Sequence, residues 1–286
     1  MGLDVNSIQF LIEARLKGLQ LGEVLTIGRQ DLNVFPAKMV QLLETHGFPA
    51  DAFRGEDPVL YAEPCFVSMG ARKVDSMDVS SFEQATVLHD LNRPIGAELR
   101  QRYDVVYDGG TLEHIFNVPT ALKNCMEMVR VGGSFFCHTG TNNLCGHGFY
   151  QFSPELFFRA FSRENGYEVQ RMVAHAVGPY GTWYEVADPE EIRSRVELLT
   201  LFPVMLMLHA KRVADKPIFE QAPQQSDYTP RWEQSAGPNK YAPSRPPLSR
   251  TLPGLARLMN VLKNGLGVYW RHSLWNRKWF RPVKRP

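Results

Sequence analysis

The stretch from Tyr103 to His138 constrains the fold more than any other part of the chain. It opens YDVVYDGGTLEH, where the branched and aromatic residues Tyr103, Val105, Val106 and Tyr107 form the pattern of a short buried strand, stopped by Gly109-Gly110. After a loop, Val118-Pro119-Thr120 starts a helix, with Ala121, Leu122, Cys125, Met126 and Val129 at helical spacing and Gly132-Gly133 as its stop. SFFCH then supplies the next strand. Strand, glycine loop, helix, double glycine and strand make one right-handed parallel crossover, and sheets of this kind bind ligands at the carboxyl ends of their strands. Asp108 through His114 and His138 through Tyr150 are therefore expected on one rim.

The flanking sequence extends the same pattern. Val5 to Leu19 carries Ile8, Leu11, Ile12, Ala14 and Leu16 on one face and predicts an amphipathic helix covering the sheet. GEVLTIGRQD predicts a strand and loop, Asn33 to His46 a helix, and Pro49 to Ser68 an insertion or extra helix. RKVDSMD gives a strand ending at Asp78, and Thr86 to Leu88 another, with Asp90 just beyond it. Ser153 caps a helix from Pro154 to Ser162, and strand Tyr167 to Ala174 follows. Val177 to Glu197, with Pro179, Tyr180, Trp183 and Tyr184, interrupts the sheet as a candidate lid, and TLFPVMLMLHAKR closes it. Asp78, Asp90 and Asp108 thus fall at the carboxyl ends of successive strands. Asp78 could equally cap the turn Val79 to Gln84, and Asp90 could be a turn former ahead of Asn92 and Pro94.

YDVVYDGGTLEHIFNVPTALKNCMEMVRVGGSFFCHT resembles the fourth-strand to fifth-strand segment of class I S-adenosylmethionine-dependent methyltransferases, of the bacterial small-molecule or glycan type. In that family a strand and LEH loop leads through a helix to an RPGG-like turn, here MVRVGG, with Val131 where proline is common. The resemblance covers roughly residues 20 to 212 and implies an α/β fold: a Rossmann-like sheet of seven mostly parallel strands, helices on both faces, and here a C-terminal extension. It implies S-adenosylmethionine as cofactor, with Asp78 taking the ribose hydroxyls, Asp90 the adenine amino group and the Leu91 amide a ring nitrogen. Gly28, Asp108, Gly109, Gly110 and His114 would complete that side. Asp75 is the alternative to Asp78 but would lie inside the strand. The family's first loop is acidic and glycine-rich, whereas this chain keeps only Gly28, with Thr26 in the acid position and Arg29-Gln30-Asp31 in place of glycines.

Methyl transfer is a displacement at a sulfonium, so alignment supplies most of the acceleration, and a base is needed only for an acceptor that carries a proton. The loop TGTNNLCGHGFYQFSPE is too polar to be buried without partners and too long for a plain connector. His147, flanked by Gly146 and Gly148, is the favoured base. His138 is the next candidate, with Tyr150 and Glu155 as aids, although each histidine could instead be structural or solvated. His114 is expected on the cofactor side. The cysteines Cys65, Cys125, Cys137 and Cys145 form no C-x-x-C pair, so neither a disulfide framework nor a metal site is expected.

From Lys211 onward there are fifteen Lys plus Arg against four Asp plus Glu, in a chain whose net charge is only +2. The expected organisation is a methyltransferase-like domain over 1–212, a proline-rich linker or wrapping arm over 213–250, and a basic aromatic segment over 251–286. That last segment contains a short amphipathic helix in LPGLARLMNVLKNGLG, then aromatics interleaved with Arg and Lys. It suits weak contact with an acidic membrane surface or packing on the protein's own flank; nucleic acid is disfavoured because no RNA-binding signature accompanies it. With no leader pattern at MGLDVNSIQF and Leu198 to Leu208 too short for a span of about 20 residues, the expected location is cytoplasmic or membrane-peripheral. The expected function is methylation of a small molecule or sugar hydroxyl, with a glycan or glycolipid precursor as the acceptor class. The competing reading is a methyltransferase-fold protein without catalysis that binds or scaffolds. A nicotinamide oxidoreductase is disfavoured, since no G-x-G-x-x-G follows a strand.

Overall fold

The computed structural model describes residues 2–55, 59–179, 181–226 and 272–285. Its strands are β1 (Gly2–Leu3), β2 (Gly22–Ile27), β3 (Asp31–Leu32), β4 (Ala71–Asp78), β5 (Val87–Leu88), β6 (Tyr103–Asp108), β7 (Val129–Asn142), β8 (Tyr167–Ala176), β9 (Trp183–Val186), β10 (Val204–Arg212) and β11 (Phe280–Val283). Its α-helices are α1 (Val5–Leu16), α2 (Pro36–Thr45), α3 (Glu63–Ser68), α4 (Val118–Met128) and α5 (Pro154–Ala160).

One sheet of nine strands runs β11-β9-β8-β10-β7-β6-β2-β4-β5. The segment from β5 to β7 is wholly parallel, and β10 is antiparallel to both of its neighbours, β7 and β8. The seven expected strands are all present, in the order third, second, first, fourth, fifth, seventh, sixth, with only the seventh reversed. This is the α/β Rossmann-like methyltransferase fold.

Alternation along the strands loads both faces. Leu25, Ile27, Val106, Phe135 and Cys137 pack on one side with Ala121, Leu122 and Cys125 of α4 and Phe157 of α5. Val24, Val105, Tyr107 and Phe136 pack on the other with Ile8, Leu11 and Ile12 of α1. Being buried on both faces is what makes such strands read as continuous apolar runs. Asp4 caps α1: its side chain accepts from the Ser7 amide at 2.8 Å, and Ser7 Oγ accepts from the Asp4 amide at 2.8 Å.

Three expectations need correction. Val177 to Glu197 does not simply interrupt the sheet: within it β9 pairs antiparallel with β8 and lengthens the sheet edge. The sheet also does not end at Arg212, because β11 pairs with β9, matching Phe280 to Val186 and Val283 to Trp183. Leu274, Trp279 and Phe280 are buried against the body, so this part of the basic aromatic segment takes the option of packing on its own flank. Finally, Gly132-Gly133 does not stop α4, which ends at Met128; both glycines lie inside β7, where a Cβ on Gly133 would come within 2.6 Å of the Asp104 carbonyl oxygen. The amphipathic helix expected in LPGLARLMNVLKNGLG and most of the proline-rich arm lie outside the described residues. Among the described residues, no helix is long and apolar enough to cross a membrane.

Candidate functional site

The carboxyl ends of β2, β4, β5 and β6 lie side by side, and the loops that leave them form the rim. At the end of β2, Gly28 has φ +72°, which favours glycine, and its amide donates to the Met77 carbonyl at 2.7 Å. The next two residues have definite places. Arg29 reaches towards β4, donating to Glu63 at 2.8 Å and to the Glu83 carbonyl at 2.9 Å, with its guanidinium 3.9 Å from the Tyr61 ring centroid. Gln30 turns the other way, buried, and its amide donates to the Ile27 carbonyl. Its Oε1 has no hydrogen-bond partner among the described residues and lies 2.1 Å from where a Cβ on Gly109 would stand. Gly109 is bare because Gln30 fills the space above it. The sequence marked the lost glycines but not this filling.

The three acids do not behave alike. Asp78 ends β4 half-buried, and its Oδ1 accepts from the Ser80 amide at 3.0 Å, which makes it the cap of the turn that follows. Asp75 lies inside the strand as expected, buried and bonded to Lys73 at 2.7 Å, Thr86 at 3.2 Å and Tyr103 at 3.2 Å. Asp90 is a turn former: its Oδ1 accepts from both the backbone and the side-chain nitrogen of Asn92, at 3.0 and 2.8 Å, and these bonds hold its carboxyl below the usual range. Leu91 beside it is buried, and its carbonyl accepts from Asn124 at 3.3 Å.

Asp108 corrects an expectation. It is fully buried rather than turned to a ligand: Oδ1 accepts from the Thr111 amide at 2.9 Å and the Leu112 amide at 3.3 Å, and Oδ2 accepts from the Cys137 thiol at 3.2 Å. Alternation along β6 sends its side chain to the α4 face with Val106. Burial and the neighbouring Glu113 carboxyl push it up to about 7, against those three donors. Its work is to hold the loop through Gly110, which has φ +98°.

That loop delivers residues Leu112–His114 as a single 3-10 turn. Glu113 is buried, its Oε2 accepting from Thr139 Oγ1 at 3.0 Å while Oε1 has no hydrogen-bond partner among the described residues; burial raises its pKa. The Glu113 carbonyl accepts from the amides of Phe149 at 2.8 Å and Tyr150 at 3.3 Å, which docks the loop after β7 onto this turn. The contact is close enough that a Cβ on Gly148 would meet the Glu113 carbonyl oxygen at 2.7 Å. His114 and His147, expected on opposite sides of the reaction, are brought together with ring centroids 5.3 Å apart. One ligand atom each from Glu113, His114 and His147 fall within 4.8 Å of one another. Tyr150 is exposed at this edge and donates to the Phe116 carbonyl at 2.8 Å; Phe116 and Phe149, both exposed, meet edge to face at 6.0 Å.

His138 is the second correction. It lies within β7, buried, with Nε2 3.0 Å from His175 Nε2 of β8 and Nδ1 3.9 Å from the Asp4 carboxylate. The two strands flank β10, so the imidazoles meet across it under the start of α1. Burial depresses both histidines, His175 to about 3, with Asp4 acting in the opposite direction. The pair belongs to the packing of α1 and not to the rim. Glu155 is likewise engaged elsewhere, with Arg159 at 3.5 Å and the Ser226 amide at 3.0 Å.

Sequence reasoning missed Gln30, Glu113 and His175. Glu113 had a usable signal, a glutamate next to a histidine on a loop at a strand end, with a second histidine between glycines further on. Two surface cavities lie away from the rim: one of about 770 Å³ along β8 near Phe158 and Arg281, the other of about 400 Å³ at the opposite end of the sheet, by Asp104 and Gly133.

No protein-family model and no curated protein matches the chain. Solved structures do. A 1,6-didemethyltoxoflavin-N1-methyltransferase from Burkholderia thailandensis, with S-adenosylhomocysteine bound, is 14% identical over 73% of this chain and 78% of its own, with TM-score 0.40. An N-methyltransferase from Bradyrhizobium japonicum is 11% identical over 73% of this chain and 96% of its own, with TM-score 0.39. A branched-chain polyamine synthase from Thermus thermophilus, with 5'-methylthioadenosine bound, is 10% identical over 78% of this chain and 60% of its own, with TM-score 0.37. Likenesses this distant add nothing to the strand order already described.

Proposed function

We propose that the protein transfers a methyl group from S-adenosylmethionine to an oxygen of a small-molecule acceptor, a sugar hydroxyl of a glycan or glycolipid precursor being the acceptor class. The observation that carries this reading is the sheet itself: parallel β5, β4, β2 and β6, then β7, then the reversed β10 ahead of β8. That order gathers Asp78, the Asp90-Leu91 turn and the loop from Gly109 to His114 along one rim, where such sheets bind nucleotides. Asp78 would take the ribose, the Asp90-Leu91 turn the adenine, and the backbone at Gly28, Gly109 and Gly110 the methionine portion. His147 and Tyr150 would face the acceptor. The exposed rings of Phe116 and Phe149 beside these polar groups suit a sugar, which presents both a C–H face and hydroxyls.

A second reading is favoured by one observation. Gln30 occupies the space beside Gly109 that a glycine loop would leave open, as in a protein that keeps the fold for binding or scaffolding alone. Calorimetric titration with S-adenosylmethionine and S-adenosylhomocysteine separates the two. Saturable binding of one molecule per chain is expected; no heat from either compound would leave the binding or scaffold reading in its place.

A further inference from the structure

We infer that Glu113, His114 and His147 form a binding site for a divalent transition-metal ion. Three donors of the right kinds, one carboxylate oxygen and two imidazole nitrogens, already stand within 4.8 Å of one another. Two histidines and one carboxylate are a donor set for zinc, manganese, iron or cobalt, and they leave coordination positions open for water or an acceptor oxygen.

The carboxylate carries the inference further than proximity would. Glu113 is 1% exposed, and its Oε1 is buried with no hydrogen-bond partner among the described residues. A buried carboxylate oxygen without a donor is costly, and a cation is one of the few ways to satisfy it. Thr139 donates to the other oxygen at 3.0 Å, fixing the carboxylate as an outer hydrogen bond typically fixes a metal ligand.

The third donor is held in place independently. Two amide bonds to the Glu113 carbonyl and the glycine at 148, where a side chain would collide with Glu113, fix the loop that carries His147. A cation here would bind an acceptor oxygen next to the rim and draw off negative charge as that oxygen loses its proton. This use rests on the methyl-transfer reading; the binding of the metal does not.

The test is titration of the full chain, stripped with chelator, with Zn²⁺, Mn²⁺ and Co²⁺ in separate calorimetric runs. One ion per chain is expected for at least one metal. His147→Ala and His114→Ala should each weaken it at least about 100-fold, while His46→Ala, at the end of α2, should leave it unchanged. Both ring substitutions are at exposed positions, so folding can be confirmed by circular dichroism even if Glu113→Gln disturbs the turn. Failure of all three metals to bind the wild type overturns the inference, as does a site that survives both substitutions. Since S-adenosylmethionine is absent, neither result depends on the cofactor titration.

Discussion

Replacing Phe280 by alanine tests whether the sheet really extends to the far end of the chain. Phe280 is 1% exposed in β11, opposite Val186 of β9, and shares a core with Phe161, Tyr167, Leu274 and Trp279. Truncating a buried phenylalanine to alanine typically costs about 3–5 kcal/mol. An edge strand can partly collapse into the space, which places the expectation near the lower figure, about 3 kcal/mol. Against a total stability of about 5–15 kcal/mol this is a large fraction, and at about 2–4 °C per kcal/mol it lowers the melting temperature by about 6–12 °C. Urea and thermal unfolding would be compared with Arg281→Ala, the exposed neighbour on the same strand, which should stay within about 0.5 kcal/mol of wild type. Equal stability for the two variants would refute the reasoning and return the sheet's end to Arg212. By the same argument a chain cut after Arg212, where the sequence placed the end of the methyltransferase-like domain, should be markedly destabilised.

Asp78→Ala should weaken S-adenosylmethionine about tenfold or more, through lost charge-assisted bonds of roughly 1.5–3 kcal/mol each; calorimetry that finds unchanged affinity in a folded variant removes Asp78 from the ribose. His147→Ala should lower single-turnover methyl transfer about 100-fold with cofactor affinity nearly intact, and turnover at the wild-type level would show that this histidine does not serve the acceptor. His209 gives a pH prediction. Burial, aided by Lys17 and Lys211, lowers its imidazole from 6.5 to about 4. The unfolded chain then takes up the proton first, so stability is intact above pH 6.5 and is lost as pH falls towards 4, by about 3 kcal/mol at most. His209→Gln should flatten urea midpoints across that interval, and an unchanged acid slope would exclude His209 as its source.

What the sequence determined is what short-range pattern can encode. The apolar run Tyr103 to Tyr107, the helical spacing from Ala121 to Met126 and the capping Ser153 each act within a few residues, so the crossover unit and the order of the first strands were legible. The direction of β10 was not, because pattern is the same in either sense; its pairing with both β7 and β8 is decided by how the chain returns. β11 was hidden for a related reason: four residues with a proline, among basic and aromatic neighbours, acquire strand geometry only because β9 presents an edge to them. The site divides in the same way. Gly28, Asp78, Asp90 and the LEH loop lie at strand ends that sequence could locate, but side-chain direction depends on neighbours far along the chain. Alternation on β6 and the Cys137 thiol turn Asp108 inward, two strands flanking β10 join His138 to His175, and the glycine at 148 lets the loop after β7 close on Glu113. The sequence could place residues on a rim; only packing between distant strands decided which of them face it.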